Sequence, residues 1–477
     1  MPHNPHKPVS TSLERRDFLK GLLAAGVAAP VASFPYITRA AETSANGKVN
    51  LACVGIGNRA GEIIREFRKT GLANIVALCD VDMGAPHTQP ILKDLPDVPR
   101  FQDFRVMFDK MAKDIDAVCI GTPDFSHFPI AMLAMSLGKH VYVEKPMAHS
   151  FKQVDLMMAA EKKYKVACQM GNQGHSEANY FQFKTWTEAG IIKDVTKITA
   201  FMNNPRRWHG KTYSDFLPAQ PVPDTMDWDI WLATAREHPY NKGYINGEWR
   251  SWFDFGNGAL GDWGAHIIDT AHRFLNLGLP TVVDPVHTEG HSRFVFPQAS
   301  TLVFKFPARG DMPACELSWL DGQKNLPDLP ENYGQAVVDP NIPPPSKGTI
   351  DTKRKPPGKV IYAGDLVFKG GSHGSTLTLL DSEKARDHFG KLPKWPKSPS
   401  NHFKNFLLAC KGEEKTRSSF DVAGPLCQAM ELGIIAQQVN ERLEFDPATR
   451  RITNHKVADA LLDGPPPRKD WEQFYKL

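Results

Sequence analysis

The sequence predicts an α/β protein in which a doubly wound parallel sheet precedes a second α/β domain. Over the first third of the chain, short apolar runs alternate with helix-like segments, which is the pattern of successive βαβ units. Beyond Asn172 the residue composition changes, and seven of the ten Trp residues fall between Trp186 and Trp263. A length of 477 residues also exceeds what one core usually holds, so two domains are expected.

The first domain is predicted at residues 46–170. Its strand-like runs cover residues 49–54, 75–79, 117–120, 141–143 and 166–169. Helix-like segments at 61–69 and 128–137 lie between them. Alternation of this kind places the carboxyl ends of the strands at one edge of the sheet, where open α/β folds bind ligands.

The second domain is predicted at residues 171–445, with a sheet covered on one face. Strand-like runs occur at 300–306 and 314–319, and helical patterns at 401–410 and 422–439. Residues 326–359 are rich in Pro, Gly, Asp and Lys, which indicates a long surface insertion. Residues 446–477 are predicted to form a polar, Pro-rich C-terminal tail.

Charge argues against a nucleic-acid partner. The 57 basic and 53 acidic side chains nearly balance, with a formal net charge of +4. A nucleic-acid binder is expected to carry a clear basic excess, so that class is set aside.

The N-terminal residues have the pattern of a targeting signal. Arg15 and Arg16 precede an uncharged run at 21–34, with small residues before Ala41, which is typical of a twin-arginine export signal over residues 1–41. An uncleaved membrane anchor is the alternative, but the run is shorter than the roughly 20 residues that span a bilayer. We expect export to the periplasm or beyond by this route, with no membrane association after processing.

The seven cysteines fit such a route. Cys53, Cys79, Cys119 and Cys168 all lie in apolar, strand-like runs, where a thiol is usually an inert buried residue. A chain without disulfides can fold in a reducing cytoplasm. The twin-arginine route carries folded cargo, so a cofactor could be loaded before export.

A glycine-rich turn follows the first strand-like run. In Gly55-Ile56-Gly57-Asn58-Arg59-Ala60, Gly55 permits a tight turn and Gly57 lets the backbone approach a pyrophosphate. The amides at the start of the next helix would receive that anion, with Asn58 and Arg59 beside it.

Asp80 ends the next strand-like run, where an acidic side chain accepts the ribose hydroxyls of a dinucleotide and repels a 2′-phosphate. This predicts NAD rather than NADP, although Arg59 could meet a phosphate. A solvated turn carboxylate is the alternative for Asp80.

The strand end at 121–127 is predicted to border the cofactor through Thr122, Pro123 and His127. Helix capping by this segment is an equally open interpretation.

Candidate catalytic groups occur in two distant segments. Lys145 follows the strand at 141–143 and so lies at the same sheet edge, where Lys145 and the preceding Glu144 are also expected to contact the cofactor. Asp262, His266 and Asp269 are spaced i, i+4 and i+7, which predicts one shared helix face. His266 suits removal of a hydroxyl proton at neutral pH, and Lys145 could stabilise the developing oxyanion. The alternative is Asp262 as a helix cap and His266 as a satisfied core residue.

Together these motifs resemble the glucose-fructose oxidoreductase / inositol dehydrogenase (Gfo/Idh/MocA) family. The resemblance extends over roughly residues 46–440. It rests on the glycine-rich turn, Asp80, Thr122-Pro123 to His127, Glu144-Lys145-Pro146 and Asp262-x-Gly264-x-His266-x-x-Asp269.

The resemblance implies a Rossmann domain followed by an α/β domain with an open, mostly antiparallel sheet that often forms oligomer contacts, so we expect a dimer or tetramer. It implies Lys145 as the catalytic lysine, Asp262 and His266 near the reacting hydroxyl, and His266 as the acid/base. It further implies a cis Lys145-Pro146 peptide and places Gln173 near the nicotinamide.

Arg207 and Trp252 could line a sugar site, since aromatic faces and Arg suit polyols and anions. Most of the tryptophans between Trp186 and Trp263 are nevertheless expected in the core.

The sequence therefore predicts an exported oxidoreductase that moves a hydride between a sugar, polyol or glycoside alcohol and a tightly bound NAD, with no metal. One alternative is an NAD-dependent glycoside hydrolase or lyase acting through transient C3 oxidation. A non-catalytic sugar or nucleotide sensor is another. The particular sugar and carbon stay open.

Overall fold

The computed structural model of the protein describes residues 47–203, 213–334 and 357–477. These residues form a parallel sheet flanked by helices, followed by a mixed, mostly antiparallel sheet, so the predicted fold class is confirmed. The twin-arginine segment at 1–41 and most of the predicted insertion lie outside the described residues.

Six parallel strands build the first sheet, counted over the described chain, in the order β3-β2-β1-β4-β5-β6. They are β1 Val49–Val54, β2 Ala73–Cys79, β3 Arg100–Phe101, β4 Ala117–Ile120, β5 His140–Val143 and β6 Cys168–Met170. The central strand β4 is buried throughout, as expected for a parallel sheet covered on both faces. The order reverses direction between β1 and β4, which creates a crevice at their carboxyl ends.

Five helices of this domain cover the sheet. They are α1 Asn58–Lys69, α2 Gln89–Asp94, α3 Phe104–Met111, α4 His127–Ser136 and α5 Phe151–Tyr164. Helix α1 buries Ile63, Ile64 and Phe67, an i, i+1, i+4 stripe that packs on the sheet. The Ser150 side chain accepts the Gln153 N–H and so begins α5.

Within the described residues the second sheet has nine strands in the order β13-β12-β11-β7-β10-β9-β8-β14-β15. They are β7 Val195–Met202, β8 Val282–Glu289, β9 Ala299–Phe306, β10 Cys315–Asp321, β11 Gly358–Ala363, β12 Leu366–Gly370, β13 Thr378–Leu379, β14 Leu443–Asp446 and β15 Arg451–Ile452. Strands β7 and β10 pair in parallel, and the other pairings are antiparallel.

The remaining helices are α6 Ala178–Glu188, α7 Trp228–Leu232, α8 Ala265–Ile267, α9 Asp269–Phe274, α10 Glu383–Arg386, α11 His402–Cys410, α12 Phe420–Val439 and α13 Lys456–Leu461. A π-helical turn, Leu260–Gly264, leads into α8. Helix α12 is buried along most of its length because it packs against both α5 and the second sheet. Across the described ranges, none of the helices combines the length and apolar character needed to cross a bilayer.

Two expectations about the irregular segments need correction. Gly358 and Lys359, at the end of the predicted surface insertion, lie in β11, and Lys359 is only 1% exposed because β11 pairs with β7 and β12 on its two edges. The C-terminal tail is not a loose polar segment. It forms β15 and α13, and it buries Trp471 and Phe474 against Phe104 of the first domain.

Candidate active site

The glycine-rich turn requires glycine at two positions. Gly55 has φ +77°, and a Cβ there would lie 2.8 Å from the backbone of Gly121 and Thr122. A Cβ on Gly57 would collide with the ring of His87. The turn between β1 and α1 therefore packs directly against the neighbouring strand end, and the backbone amides at the start of α1 face an open cavity.

Asp80 lies beside this turn at the end of β2. Its two carboxylate oxygens accept the Ile56 N–H at 3.0 Å and the Asp82 N–H at 3.1 Å. Burial raises the pKa of Asp80, while these two N–H donors oppose the shift. The carboxylate is thus fixed next to the glycine turn, as recognition of a ribose requires.

One cavity of about 1130 Å³ joins the two sets of predicted residues. Its lining includes the following cofactor and catalytic candidates: Gly55, Gly57, Asn58, Arg59, Asp80, Thr122, Pro123, Glu144, Lys145, Gln173, Asp262 and His266. The first domain supplies the glycine turn and the strand ends, and the second domain supplies Asp262 and His266. The cavity therefore lies between the two sheets.

Lys145 and Asp262 meet at one end of the cavity. The Lys145 Nζ donates to Asp262 Oδ1 in a short contact and to the Asp262 carbonyl oxygen at 3.0 Å. Both side chains are about seven-eighths buried. The cis Lys145-Pro146 peptide, which the resemblance implied, is present directly after this lysine.

Arg250 is the second cation beside Asp262, with Nε 3.7 Å from Oδ1. Burial alone would favour the neutral acid, but Lys145 and Arg250 outweigh it and hold the pKa of Asp262 well below its usual range. Asp262 is therefore a carboxylate at any physiological pH. Its charge offsets part of the positive charge of the two cations.

His266 stacks on a second histidine. The rings of His266 and His373 are 4.0 Å apart and inclined by 16°, and the His373 N–H donates to the His266 carbonyl at 3.0 Å. Burial, followed by the charges of Lys145 and His373, lowers the pKa of His266 well below its ordinary value. His266 is thus neutral near pH 7 and can accept a proton.

Glu144 and Gln173 form a polar group next to Lys145. The Gln173 side-chain amide donates to Glu144 Oε1 at 3.2 Å and to the Tyr142 hydroxyl at 3.1 Å. Burial raises the pKa of Glu144, and Lys145 and Arg59 act in the opposite direction. Arg59 also pairs with Glu62 at 2.9 Å, so its guanidinium is shared between solvent and cavity.

His127 was predicted to contact the cofactor, and the structure places it elsewhere. It is fully buried, and its Nδ1 and Nε2 lie 2.9 Å from the carbonyl oxygens of Pro146 and Thr122. Both ring nitrogens therefore face backbone, not the cavity. Its role is to join the Thr122 turn to the turn after Lys145.

The structure also corrects the predicted positions of Trp252 and Asp269. Trp252 is 2% exposed, stacks on Tyr213 at 4.9 Å, and donates to the Gly243 carbonyl at 3.2 Å, so it is a core residue. Asp269 does not share a cavity-facing surface with Asp262 and His266, since it lies 3.6 Å from buried His175. Arg207 falls outside the described residues.

Two cavity residues and one buried neighbour carry no signal that singled them out in the sequence. Arg250, two positions before the predicted Trp252, lines the cavity and stacks on Trp249 at 4.1 Å. His373 lines the cavity after a glycine-rich turn, with no periodic relation to His266. Asp124 is buried outside the cavity lining, where it accepts the Asn257 N–H at 3.2 Å, and burial raises its pKa to about 7.

The cavity fits a nicotinamide dinucleotide. The glycine turn brings backbone amides to its wall, Asp80 stands beside them, and Thr122 Oγ1 is enclosed without a hydrogen-bond partner among the described residues. A metal-binding cluster of His, Cys, Asp or Glu is not found in the part of the chain that the structure describes.

Comparison with known families gives two consecutive matches. Residues 49–172 match the model of the Gfo/Idh/MocA oxidoreductase family described as an NAD-binding Rossmann fold. Residues 187–289 match the model of the C-terminal α/β domain of that family.

Curated relatives match over part of their length. A glycosyl hydrolase family 109 protein from Shewanella amazonensis is 31% identical over 34% of this chain and 39% of its own length. Inositol 2-dehydrogenase from Salmonella paratyphi B is 24% identical over 38% of this chain and 53% of its own length. The chain thus spans about half or less of the curated relatives it matches.

Solved structures share the fold. The WlbA dehydrogenase of Chromobacterium violaceum, in complex with NADH and UDP-GlcNAcA, covers 84% of this chain and 97% of its own with a TM-score of 0.53 and 14% identity. An NAD-binding protein from Listeria innocua covers 83% of this chain and 97% of its own, with a TM-score of 0.52 and 12% identity.

Proposed function

Because this chain belongs to the Gfo/Idh/MocA family of oxidoreductases with an NAD-binding Rossmann domain, we propose that it moves a hydride between a nicotinamide cofactor and a secondary alcohol of a sugar, polyol or glycoside. One observation carries this proposal. An amine on the first domain and an imidazole on the second, Lys145 and His266, line the same cavity as the glycine turn and Asp80.

Two residues at the Lys145 end of the cavity have separate roles in oxidation of the alcohol. Oxidation of an alcohol needs a group that takes the hydroxyl proton and a group that stabilises the negative charge building on oxygen. His266 is neutral and buried beside Lys145, so it can take the proton. Two of the three N–H donors of Lys145 are used on Asp262, and the third can be directed at the alkoxide-like oxygen.

Asp262 positions Lys145 and stabilises the protonated form of His266. Its carboxylate holds the ammonium group through a short ion pair, and its charge favours the imidazolium that forms when His266 accepts the proton. When bound, the nicotinamide ring supplies the hydride acceptor or donor. In the reverse direction His266 returns its proton to the carbonyl oxygen while Lys145 polarises it.

The same cavity supports NAD as the cofactor. Asp80 presents a buried carboxylate where a ribose would lie, and the glycine turn presents amides to a pyrophosphate. We propose that NAD is tightly held and exported with the folded protein by the twin-arginine route, because free nucleotide is not expected outside the cytoplasm. Seven buried, free cysteines are compatible with folding before export.

The test uses protein as purified, without added nucleotide. Denaturing extraction should release NAD or NADH, and incubation with a panel of sugars and polyols should change absorbance at 340 nm. Lys145→Met should retain the nucleotide but lose turnover. A protein that neither contains nor binds nicotinamide nucleotide would refute the proposal. Nucleotide binding without turnover by the wild type would favour a sensor, and undiminished turnover by Lys145→Met would contradict the role given to Lys145.

A second candidate is a redox-neutral glycoside hydrolase or lyase. It is favoured by the relatives named glycosyl hydrolase family 109 proteins. In this reaction, hydride transfer from C3 to the cofactor would acidify the C2 proton, a base would remove that proton, and the aglycone would leave C1 with formation of a C1–C2 double bond. A hydrolase would then add water across this bond, whereas a lyase would keep it, before the hydride returns to C3. Release of aglycone from a chromogenic glycoside without net change at 340 nm would identify this route. Net reduction of the nicotinamide cofactor without cleavage of the glycosidic bond would exclude this route.

We further propose a homo-oligomer formed through the open second sheet. The proposal rests on the resemblance to the family, which implies that this open sheet forms contacts between subunits. Light scattering of the eluted protein tests this, and a monomer at micromolar concentration would contradict it.

A further inference from the structure

A segment of the second domain covers one end of the cavity. Residues 223–233, called here the covering segment, contain helix α7 and contribute Thr225, Met226, Trp231 and Ala233 to the cavity lining. They line it together with Asp80, which marks the end where an adenosine ribose would lie. A dinucleotide bound along this cavity would have the covering segment over its adenosine half.

The covering segment is fastened to the first domain at its beginning. Thr225 Oγ1 donates to Asp82 Oδ1 at 2.8 Å, and the Gln102 amide donates to the Thr225 carbonyl at 2.8 Å. The Asp227 N–H donates to the Val81 carbonyl at 2.9 Å. These contacts fix the edge of the segment that lies next to Asp80.

The other end of the covering segment is held by the C-terminal tail. Arg468 donates to the Asp229 carbonyl at 2.7 Å and to the Ala233 carbonyl at 2.9 Å, and its Nη1 pairs with Asp229 Oδ1 at 2.5 Å. Carbonyls at the end of a helix lack partners within the helix, so a guanidinium that reaches them completes the turn. Ala233 has φ +44°, a conformation that a non-glycine residue rarely adopts without such support.

The tail that carries Arg468 is itself anchored on the first domain. Trp471 is 1% exposed, and the guanidinium groups of Arg105 and Arg468 lie 4.8 and 5.6 Å from its ring. The Gln153 amide donates to the Tyr475 hydroxyl at 2.8 Å. The tail therefore runs from helices of the first domain to the back of the covering segment, outside the cavity.

We propose that Arg468 is a positioning residue that keeps the covering segment closed over the adenosine half of the cofactor and thereby slows its release. Residues 223–233 would lie on the path of a nucleotide that leaves past Asp80. The Arg468 side chain does not line the cavity and hydrogen-bonds to this segment at Asp229 and Ala233. This inference rests on the proposed function in one respect, that the cavity binds a nicotinamide dinucleotide.

The test compares Arg468→Ala with Arg451→Ala in the full chain. Arg451 is on the same tail, and its hydrogen bonds within the described residues go to Asp459 and Asp463, away from the covering segment. Each protein is loaded with NADH and mixed with excess NAD⁺, and the loss of bound NADH fluorescence gives the release rate. Thermal unfolding of all the proteins is measured in parallel.

We expect release at least tenfold faster from Arg468→Ala than from wild type, and an unchanged rate from Arg451→Ala. Equal release rates for wild type and Arg468→Ala would overturn the inference while leaving the proposed function intact. Failure of wild type to bind NADH would instead refute the proposed function. If Arg468→Ala does not fold, Asp229→Ala, which removes only the ion pair at a 64% exposed side chain, should still speed release, and no acceleration would overturn the inference.

Discussion

At the scale of single residues, the site is a balance of charges in a buried space. Lys145 and Arg250 are two cations near one carboxylate, Asp262. Burial, followed by the charge of Lys145, disfavours protonation of His266 and so lowers its pKa. The imidazole of His266 therefore stays neutral and can accept a proton while negative charge develops on the substrate oxygen beside Lys145. Transfer of the hydroxyl proton to His266 leaves the total charge of the site unchanged, but it places a developing negative charge beside Lys145. The site therefore stabilises the reacting state more than the resting one.

The lowered pKa of His266 has a consequence for pH dependence. The neutral imidazole is the form that accepts a proton, so alcohol oxidation is retained as pH falls until the pKa of His266 is reached, well below its ordinary 6.5. We expect no loss of kcat/KM attributable to this group between pH 8 and about pH 6.5. Asp124, with a pKa raised by burial to about 7, would overlap this range, so the profile is measured in Asp124→Asn. An acid limb at or above pH 6.5 in that variant would contradict the assignment.

We expect Asp80 to determine the preference for NAD over NADP. Removing its carboxylate in Asp80→Ser takes away a charged hydrogen-bond acceptor, which should weaken NAD binding by roughly 10- to 100-fold. The same change removes the repulsion of a 2′-phosphate, so the ratio of NADP to NAD affinity should rise. Fluorescence titration with NADH and NADPH measures both. Asp94→Ser, at a partly exposed salt bridge to Arg65 in the same domain, is the matched control and should leave both affinities unchanged.

At the scale of elements, the strands and helices were predictable where their periodicity is local. The predicted strands at 49–54 and 117–120 agree with β1 and β4, and the helical pattern at 422–439 lies within α12. The segment from Asp262 to Asp269 was not predictable in detail, because a π-helical turn and a break at Ile268 change the angular spacing of a regular helix. Asp262 and His266 still reach the cavity, while Asp269 does not.

Helix α12 carries a buried carboxyl group that should make stability depend on pH. Glu431 is 4% exposed, burial raises its pKa to about 8, and it accepts a short hydrogen bond from the Asn257 amide. Between its unfolded pKa of about 4.3 and pH 8, the folded state keeps a proton that the unfolded state has lost, so the free energy of unfolding falls as pH rises.

Glu431→Gln removes this titration and keeps an acceptor for Asn257. We therefore expect the difference in unfolding free energy between Glu431→Gln and wild type to grow in favour of the variant from pH 5.5 to pH 8, by at most about 1.4 kcal/mol per pH unit. Urea denaturation at both values measures it. Glu441→Gln, at a 67% exposed side chain, should show no such trend, and a pH-independent difference for Glu431→Gln would contradict the argument.

At the scale of the whole molecule, contacts within one βαβ unit follow from topology, whereas contacts between distant segments are not encoded in local sequence patterns. The glycine turn and Asp80 belong to one βαβ unit, so their proximity follows from topology. The stacking of His373 on His266 and the reach of Arg468 to Ala233 join segments that are distant in the chain. No periodicity encodes such contacts, since they depend on how the second sheet and the tail fold back on the first domain.

The distribution of cysteines makes a last prediction about the entire fold. All seven thiols are buried and free, and burial raises the pKa of each, for example to about 11 for Cys315 and about 12 for Cys427. A thiol that is both enclosed and protonated reacts slowly, because the thiolate is the nucleophile. Native protein should therefore be nearly inert to a thiol reagent such as DTNB, and denaturation should release seven reactive groups. Rapid labelling of the native protein would mean that the domains open readily, and would remove the argument that this chain tolerates an oxidising compartment once folded.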